Sequence, residues 1–370
     1  MRSSTSNSRR LTAADRPGVA QPVPTRDVPD RSWLSMLLCA LLLAVILTGG
    51  WEYYWRAFGA VPGIRDDDAL WARQRRRIDD GEGNATVLIG ASRTFFDVQL
   101  STWERMSGRR PIQLALDGTS PLFALEDLAN DPSFTGRLLI GVAPDIFFSG
   151  FEYRAGLGRY VRKESPSQRV GKILSMHLLE PWLAFYDPDF ALFTVLRRQP
   201  LPERQGLSGH SVRKLSITEA DRNNYMWSKI ETDSSYRTLV RSIWAEDFYG
   251  PPPTPQEAAE NQRILDEQIK RTAVVVARLR ARNIPLIFVR DPSTADYLAF
   301  EDRNFPRKST WDVLLATARA HGIHFQDYPE LQGYDLPEWS HMTRASAERY
   351  TDALYRIIER NYPPSDGARW

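Results

Sequence analysis

Short apolar runs alternate with amphipathic stretches along most of the chain after residue 84. This pattern predicts strands at 86–89, 112–116, 137–142, 285–289 and 324–328, and helices at 98–106, 121–129, 255–282, 310–321 and 344–361. Strands that alternate with helices pair in parallel, with helices on both sheet faces. The pattern therefore predicts an α/β fold built on a doubly wound, flavodoxin-like sheet of five parallel strands.

An apolar segment precedes this domain. From Ser32 to Trp51 the chain carries no charge, and at about 1.5 Å per residue a helix of this length spans roughly the 30 Å hydrocarbon layer. Aromatic residues flank it at Trp33 and at 51–55, as at membrane interfaces. Arginines outnumber aspartates before it, which predicts a cytoplasmic N-terminus and an extracytoplasmic, periplasmic remainder. A cleaved signal peptide is the alternative, since Ala57-Phe58-Gly59 resembles a cleavage site.

The rest of the chain divides by composition. Residues 1–31 resemble a disordered cytoplasmic tail, 52–84 a juxtamembrane linker with a helix near 66–78, and 85–365 the folded domain. A long insertion interrupts that domain at about 150–250. Its apolar stretches with flanking cations predict either a helical subdomain packed on the sheet edge or a lid or membrane-facing surface.

Composition narrows the function classes. The 370 residues are 42% hydrophobic and 25% charged, as in folded proteins, and the net charge of +2 argues against a nucleic-acid binder. The single Cys39 excludes an intramolecular disulfide and a cysteine zinc site. His321 and His324 have H-x-x-H spacing but lack carboxylates at ligand spacing, so neither a metal nor a cofactor is predicted.

Polar residues that follow predicted strands offer a candidate site, since ligands of doubly wound sheets bind at the carboxyl ends of strands. Ser92 follows the first strand, and His341 with Glu338 follows the last. A serine becomes a nucleophile when an imidazole takes its proton and a carboxylate orients that imidazole. The N–H groups of Ser92 and Gly118 are candidate oxyanion donors.

Each of these residues also has a structural interpretation. Ser92 can be a helix cap, His341 a packed residue at the start of the last helix, and Glu338 a favourable acid ahead of that helix. Gly118 can serve only a tight turn. Two further candidates, Arg93 and Arg290, can bind substrate or form structural salt bridges.

These residues resemble the blocks of the SGNH (GDSL-like) hydrolase superfamily. Gly90-Ala91-Ser92 matches its Gly-x-Ser turn, Gly118 its second-block glycine, and Glu338-Trp339-Ser340-His341 its terminal Asp-x-x-His, over residues 86–362. The resemblance implies an SGNH-hydrolase-like fold with a Ser-His-Glu triad. Two departures are a glutamate in place of aspartate and Ala143 where the family has an oxyanion-binding asparagine.

The departures are similar to those of membrane-anchored relatives involved in O-acetylation of envelope polysaccharides or wall-polymer D-alanylation. The resemblance implies a serine esterase or O-acyltransferase that acts on a carbohydrate polymer outside the cytoplasmic membrane. An integral membrane protein is the implied acyl donor. The alternative, favoured by Ala143, is a catalytically inactive envelope protein that binds polysaccharide or assembles a complex.

Overall fold

A computed structural model of the protein describes residues 31–198, 214–246, 248–363 and 370. The chain divides into two compact units, Met1–Trp51 and Glu52–Trp370. Helix α1 (Trp33–Phe58) is long and apolar enough to cross a membrane. It continues beyond the predicted end at residue 51 and stops before Gly59, whose φ of +109° suits glycine. The predicted disordered tail, residues 1–31, lies outside the described residues except for Arg31.

The second unit contains one all-parallel sheet and one hairpin. The strands are β1 (Thr86–Ile89), β2 (Ile112–Gln113), β3 (Arg137–Gly141), β4 (Ser216–Thr218), β5 (Asn224–Met226), β6 (Leu286–Arg290) and β7 (His321–His324). The parallel sheet has the order β2-β1-β3-β6-β7, and β4 and β5 form an antiparallel pair. The predicted α/β class with five parallel strands is confirmed, and the strand order is the flavodoxin-like one.

Helices cover both faces of this sheet. The helices that follow α1 are α2 (Asp68–Arg77), α3 (Ser92–Asp97), α4 (Leu100–Ser107), α5 (Leu122–Asn130), α6 (Pro144–Phe147), α7 (Leu157–Lys163), α8 (Pro166–Leu178), α9 (Leu192–Arg197), α10 (Ser228–Thr232), α11 (Ser234–Ala245), α12 (Pro255–Ala281), α13 (Ala295–Asn304), α14 (Trp311–Ala318) and α15 (Arg344–Asn361). Along β1, Val87 and Ile89 enter a buried cluster with α5, α12 and α14, whereas Leu88 enters a second cluster with α4 and α15. The period of two along the strand thus separates two cores.

Two predicted elements differ in position. The last strand lies at His321–His324 rather than 324–328, because α14 ends three residues before the predicted helix end. Glycine at 322 also lets the strand pack against Trp311, since a Cβ atom on Gly322 would lie 2.7 Å from the Trp311 ring. The residues after His324 form 3-10 turns. The helix predicted at 98–106 is α4, and the shorter α3 precedes it.

The segment 52–84, predicted as a linker, packs into the domain. Trp71 of α2 is buried in the first core cluster, and its indole N–H donates to Leu114 O at 3.0 Å. The compact unit accordingly begins at Glu52, ahead of the predicted domain start at residue 85.

The insertion at about 150–250 contains α7 to α11 and the β4–β5 hairpin in its described part. Arg222, in the turn of that hairpin, donates to the carbonyls of Gln113 and Ala115 at 2.9 Å each. These bonds cover the edge of β2 and place the hairpin against the sheet edge.

Candidate active site

Ser92 is the first residue of α3, directly after the turn that ends β1. The residue in the capping position is Ala91, so Ser92 is not the helix cap that one interpretation predicted. A Cβ atom on Gly90 would lie 2.3 Å from Thr94 Oγ1, and one on Gly141, at the end of β3, would lie 1.6 Å from it. Glycine at both strand ends therefore lets α3 approach the sheet and present Ser92 at its carboxyl edge.

Ser92, His341 and Glu338 lie in one continuous hydrogen-bonded chain. His341 Nε2 is 2.8 Å from Ser92 Oγ, and His341 Nδ1 is 2.8 Å from Glu338 Oε1. An ionised carboxylate only accepts, so the proton belongs on Nδ1 and Nε2 accepts from the serine hydroxyl. His341 and Glu338 are buried, whereas Ser92 is partly exposed. This arrangement can activate a serine for nucleophilic attack.

A turn between Leu336 and His341 brings the carboxylate to the imidazole. Trp339 has a φ of +75°, which is uncommon for a residue with a side chain. Its N–H donates to Leu336 O at 3.0 Å, and its carbonyl accepts from Thr294 N–H at 2.9 Å. Glu338 Oε1 also accepts the backbone N–H of His341 at 2.6 Å. The left-handed residue thus closes a turn in which one carboxylate oxygen contacts both backbone and ring of the same histidine.

Two aromatic side chains that the sequence analysis missed contact these groups. Phe96 stacks on the His341 ring with 4.2 Å between centroids and 27° between planes. Trp244 of α11 lies 6.2 Å from that ring and donates its indole N–H to Glu338 Oε2 at 2.5 Å. Phe96 lies four residues after Ser92 on one helix, a spacing that could have indicated it. Trp244 comes from the insertion, which gave no comparable signal.

Buried carboxyl groups fix α3 to its surroundings. Asp97 Oδ1 accepts the N–H of Met342 at 2.9 Å, and Asp291 accepts from the hydroxyls of Thr94 at 2.9 Å and Tyr350 at 2.7 Å. Burial and then the Asp291 charge raise the pKa of Asp97 well above its usual value, and burial raises that of Asp291. The bond from Met342 to Asp97 thus joins the helix that carries Ser92 to the residue next to His341.

The candidate oxyanion donors lie at two strand ends. Within the part of the chain that the structure describes, the N–H groups of Ser92 and Gly118 make no hydrogen bond to protein. Gly118 has a φ of +56°, which fits the tight-turn interpretation as well. Ala143 is buried at the start of α6 and has no side-chain donor. Ala143 thus supplies no side-chain donor, and the N–H groups of Ser92 and Gly118 stay candidate oxyanion donors.

Asp117, beside Gly118, is a titratable group that the sequence analysis did not assign. Burial, then the carboxylate of Asp66, raises the pKa of Asp117 to about 6, while the charge of His341 acts in the opposite direction. Its Oδ1 atom is buried without a hydrogen-bond partner among the described residues. The loop that carries Gly118 therefore lies within electrostatic reach of the candidate base.

Arg93 and Arg290 share one buried carboxylate. Arg93 Nη1 donates to Glu301 Oε1 and Arg290 Nη2 to Glu301 Oε2, both at 2.7 Å. The two arginines are 2% and 3% exposed. Arg93 also lies over the Tyr297 ring, 4.8 Å from its centroid. This arrangement matches their structural interpretation, since both guanidinium groups already have a carboxylate partner and little solvent contact.

His321 and His324 lie at opposite ends of β7. His324 Nδ1 accepts the N–H of Gln326 at 3.3 Å. Burial, then the charges of Arg290 and Arg307, lowers the pKa of His324 to about 3, so its ring is neutral at pH 7. Across the described residues, no group of three or more histidine, cysteine, aspartate and glutamate side chains is arranged to hold a metal ion.

Comparison with other proteins adds no assignment to this site. No protein family model matches the sequence, and no curated protein is significantly similar to it. The contacts of Ser92, His341 and Glu338 and the apolar helix α1 are therefore the observations from which a function is inferred.

Proposed function

We propose that the protein is a membrane-anchored serine O-acyl esterase or acyltransferase of the SGNH type. The observation that carries the proposal is the unbroken contact from Ser92 through His341 to Glu338 at the carboxyl ends of parallel strands. A merely structural serine, histidine and glutamate need no such alignment. The buried imidazole of His341 also directs Nε2 at Ser92, which is the partly exposed residue of the three and therefore the one that a substrate can reach.

The reaction follows from these contacts. Ser92 Oγ attacks the ester carbonyl carbon while His341 Nε2 accepts the hydroxyl proton, and Glu338 stabilises the imidazolium that forms. The N–H groups of Ser92 and Gly118 bind the tetrahedral oxyanion. Collapse breaks the ester C–O bond, and His341 returns the proton to the departing alcohol. Water then releases the acyl group from the serine in hydrolysis, whereas a sugar hydroxyl accepts it in transfer.

The substrate and compartment in this proposal come from the sequence. The apolar segment and the arginines before it support a single span with the catalytic domain on the extracytoplasmic side of the cytoplasmic membrane. The SGNH-like blocks, with their departures, support a carbohydrate polymer as substrate. In hydrolysis the polymer supplies the ester, and in transfer it supplies the accepting hydroxyl while an integral membrane protein is the acyl donor.

Covalent labelling of the full-length protein in detergent with a fluorophosphonate probe tests the proposal. We expect the wild type to be labelled at Ser92 and Ser92→Ala to show no labelling. Ser101→Ala, which changes an exposed serine of α4, is the matched control and should be labelled like the wild type. Equal labelling of Ser92→Ala, or none of the folded wild type, would refute the proposal. Release of acetate from acetylated oligosaccharides is then the test of substrate class.

A second candidate function is a non-catalytic envelope protein that binds polysaccharide or assembles a complex. Ala143 favours it, because loss of one oxyanion donor can lower a rate by ~10²- to 10³-fold. The same labelling experiment separates the two, since this candidate predicts no labelling while polysaccharide binding persists.

A further inference from the structure

Helix α8 exposes an apolar face and buries a polar one. Its buried positions are Lys172 and Met176, and the Lys172 ammonium is 3.1 Å from Glu180 Oε1. Its exposed positions include Val170, Ile173, Leu174 and Leu178, which are 45% to 65% exposed. A surface helix of a soluble domain normally turns its apolar face to the core. The apolar face of α8 therefore points away from the core of its own domain.

The exposed apolar surface continues through the residues after α8. Trp182 is 67% exposed, and its indole N–H donates to His177 O at 3.3 Å, which holds the ring against the end of α8. In α9, which has no buried residue, Phe193 is 75% exposed. We define the outer apolar surface as the exposed apolar side chains of residues 170–182 and 192–196. Exposed apolar side chains in such number on two neighbouring segments of the chain are typical of an interaction site.

This surface is attached to the residues that directly follow the apolar segment. Glu52, which follows Trp51, accepts the N–H groups of Ala184 and Phe185 at 3.0 Å each. Arg56 Nη2 donates to Trp182 O at 2.9 Å. The end of α1 from residue 52 onward thus holds the connection between α8 and α9.

The α9 side is attached in the same way. The rings of Trp55 and Phe190 are 4.8 Å apart, and Phe190 lies two residues before α9. Both parts of the outer apolar surface are therefore only a few residues from contacts with the end of α1.

The charges around the surface favour lipid as its occupant. Arg169 on α8 and Arg197 at the end of α9 are exposed cations beside this surface, whereas Lys172 is buried against Glu180. Apolar side chains flanked by cations suit an anionic headgroup layer.

We infer that the outer apolar surface lies in the headgroup layer of the bilayer that α1 crosses. The inference rests on the proposed membrane anchoring. Insertion of α1 brings residues 52–56 to the interface, and their contacts bring α8 and α9 with them. The domain is then attached to the membrane through α1 and through this surface.

Site-directed fluorescence on the full chain in anionic lipid nanodiscs tests the inference. Cys39→Ser provides a cysteine-free background. Leu174→Cys and Phe193→Cys, labelled with an environment-sensitive dye, report on the outer apolar surface. Val274→Cys on α12, an apolar position about as exposed as Leu174, is the matched control. We expect quenching by spin-labelled lipid to be about threefold stronger at 174 and 193 than at 274, with protection from aqueous iodide.

The outcomes separate this inference from the anchoring on which it rests. Leu41→Cys reports insertion of α1, and lack of lipid quenching there overturns both. Quenching at 41 without quenching at 174 and 193 overturns only the inference. Protection of 174 and 193 from iodide without lipid quenching also overturns it, because protein then covers the surface, either a second copy or residues 199–213. Deletion of 199–213 and the protein count per nanodisc distinguish these two.

Discussion

Replacing Trp244 with phenylalanine removes one hydrogen bond from the candidate site. The indole N–H is the donor to Glu338 Oε2, while Oε1 keeps its two contacts with His341. Phenylalanine preserves an aromatic ring next to the imidazole and next to Tyr297, whose ring centroid lies 6.1 Å from that of Trp244. The change therefore isolates the anchoring of the carboxylate from the packing around it.

The expected magnitude follows from the burial of the carboxylate. Glu338 is fully buried, so solvent does not readily replace the lost donor. A hydrogen bond to a charged group contributes about 1.5–3 kcal/mol. We expect roughly half of this to appear in the transition state, where the carboxylate must hold the imidazolium in one orientation. Half of this contribution is about 0.8–1.5 kcal/mol, which corresponds to a decrease in rate of about four- to tenfold.

The second-order rate constant of fluorophosphonate labelling measures this effect without knowledge of the natural substrate. We expect Trp244→Phe to react about four- to tenfold more slowly than the wild type. Tyr236→Phe is the matched control, since it removes a buried hydrogen bond of the same helix, from the hydroxyl to Lys214 O at 2.8 Å, away from Glu338. A folded Trp244→Phe protein that reacts as fast as Tyr236→Phe would show that anchoring of Glu338 does not limit serine activation.

Three further substitutions test the surroundings of the site. Asp117→Asn removes a carboxyl group whose pKa is raised to about 6 on folding. The protonated carboxyl stabilises the fold at low pH, and this contribution is lost as pH rises through 6. In chemical denaturation the substitution should therefore stabilise the protein by about 3 kcal/mol at pH 8 and change its stability little below pH 4. Gly141→Ala should destabilise the protein by about 3 kcal/mol or more in thermal melts, because the new Cβ atom meets Thr94 Oγ1. Gly171→Ala on α8, which has open space around it, should be neutral or stabilising in the same measurement. Glu301→Gln should destabilise the protein by about 3 kcal/mol, since it leaves two buried arginines without a carboxylate partner. A loss of stability no larger than that caused by the same substitution at a surface glutamate would contradict this prediction.

The central strands could be predicted because they are buried on both faces. A short run such as Thr86–Ile89 that is apolar almost throughout and is followed by glycine is typical of a buried parallel strand. At the edge the signal fails: β7 includes exposed His321, and the apolar alternation after His324 belongs to 3-10 turns around Pro329. Edge strands are fixed by their neighbours more than by their own pattern, which explains the displaced prediction.

The candidate triad could be predicted because its members follow strand ends whose spatial convergence is a property of the sheet. The contacts that support the triad residues could not be predicted from the sequence. Trp244 reaches Glu338 across 94 residues of sequence, and no local period indicates such a pair. For Arg93 and Arg290 the sequence offered both substrate binding and a structural salt bridge, and no local pattern indicated Glu301 on α13 as their shared partner.

The insertion explains how distant parts of the second unit act on one site. Arg241 of α11 donates from Nε to Pro337 O at 2.8 Å and lies over the Trp339 ring, so the turn that carries Glu338 is held from the insertion. The same insertion covers the edge of β2 through Arg222 and binds the residues after the apolar segment through Ala184. The insertion therefore contacts the triad loop, the sheet edge and the end of α1 at once. Arg241→Ala should therefore slow fluorophosphonate labelling more than Tyr236→Phe does, although Arg241 contacts none of the three triad residues, and equal labelling rates of the two folded variants would contradict this.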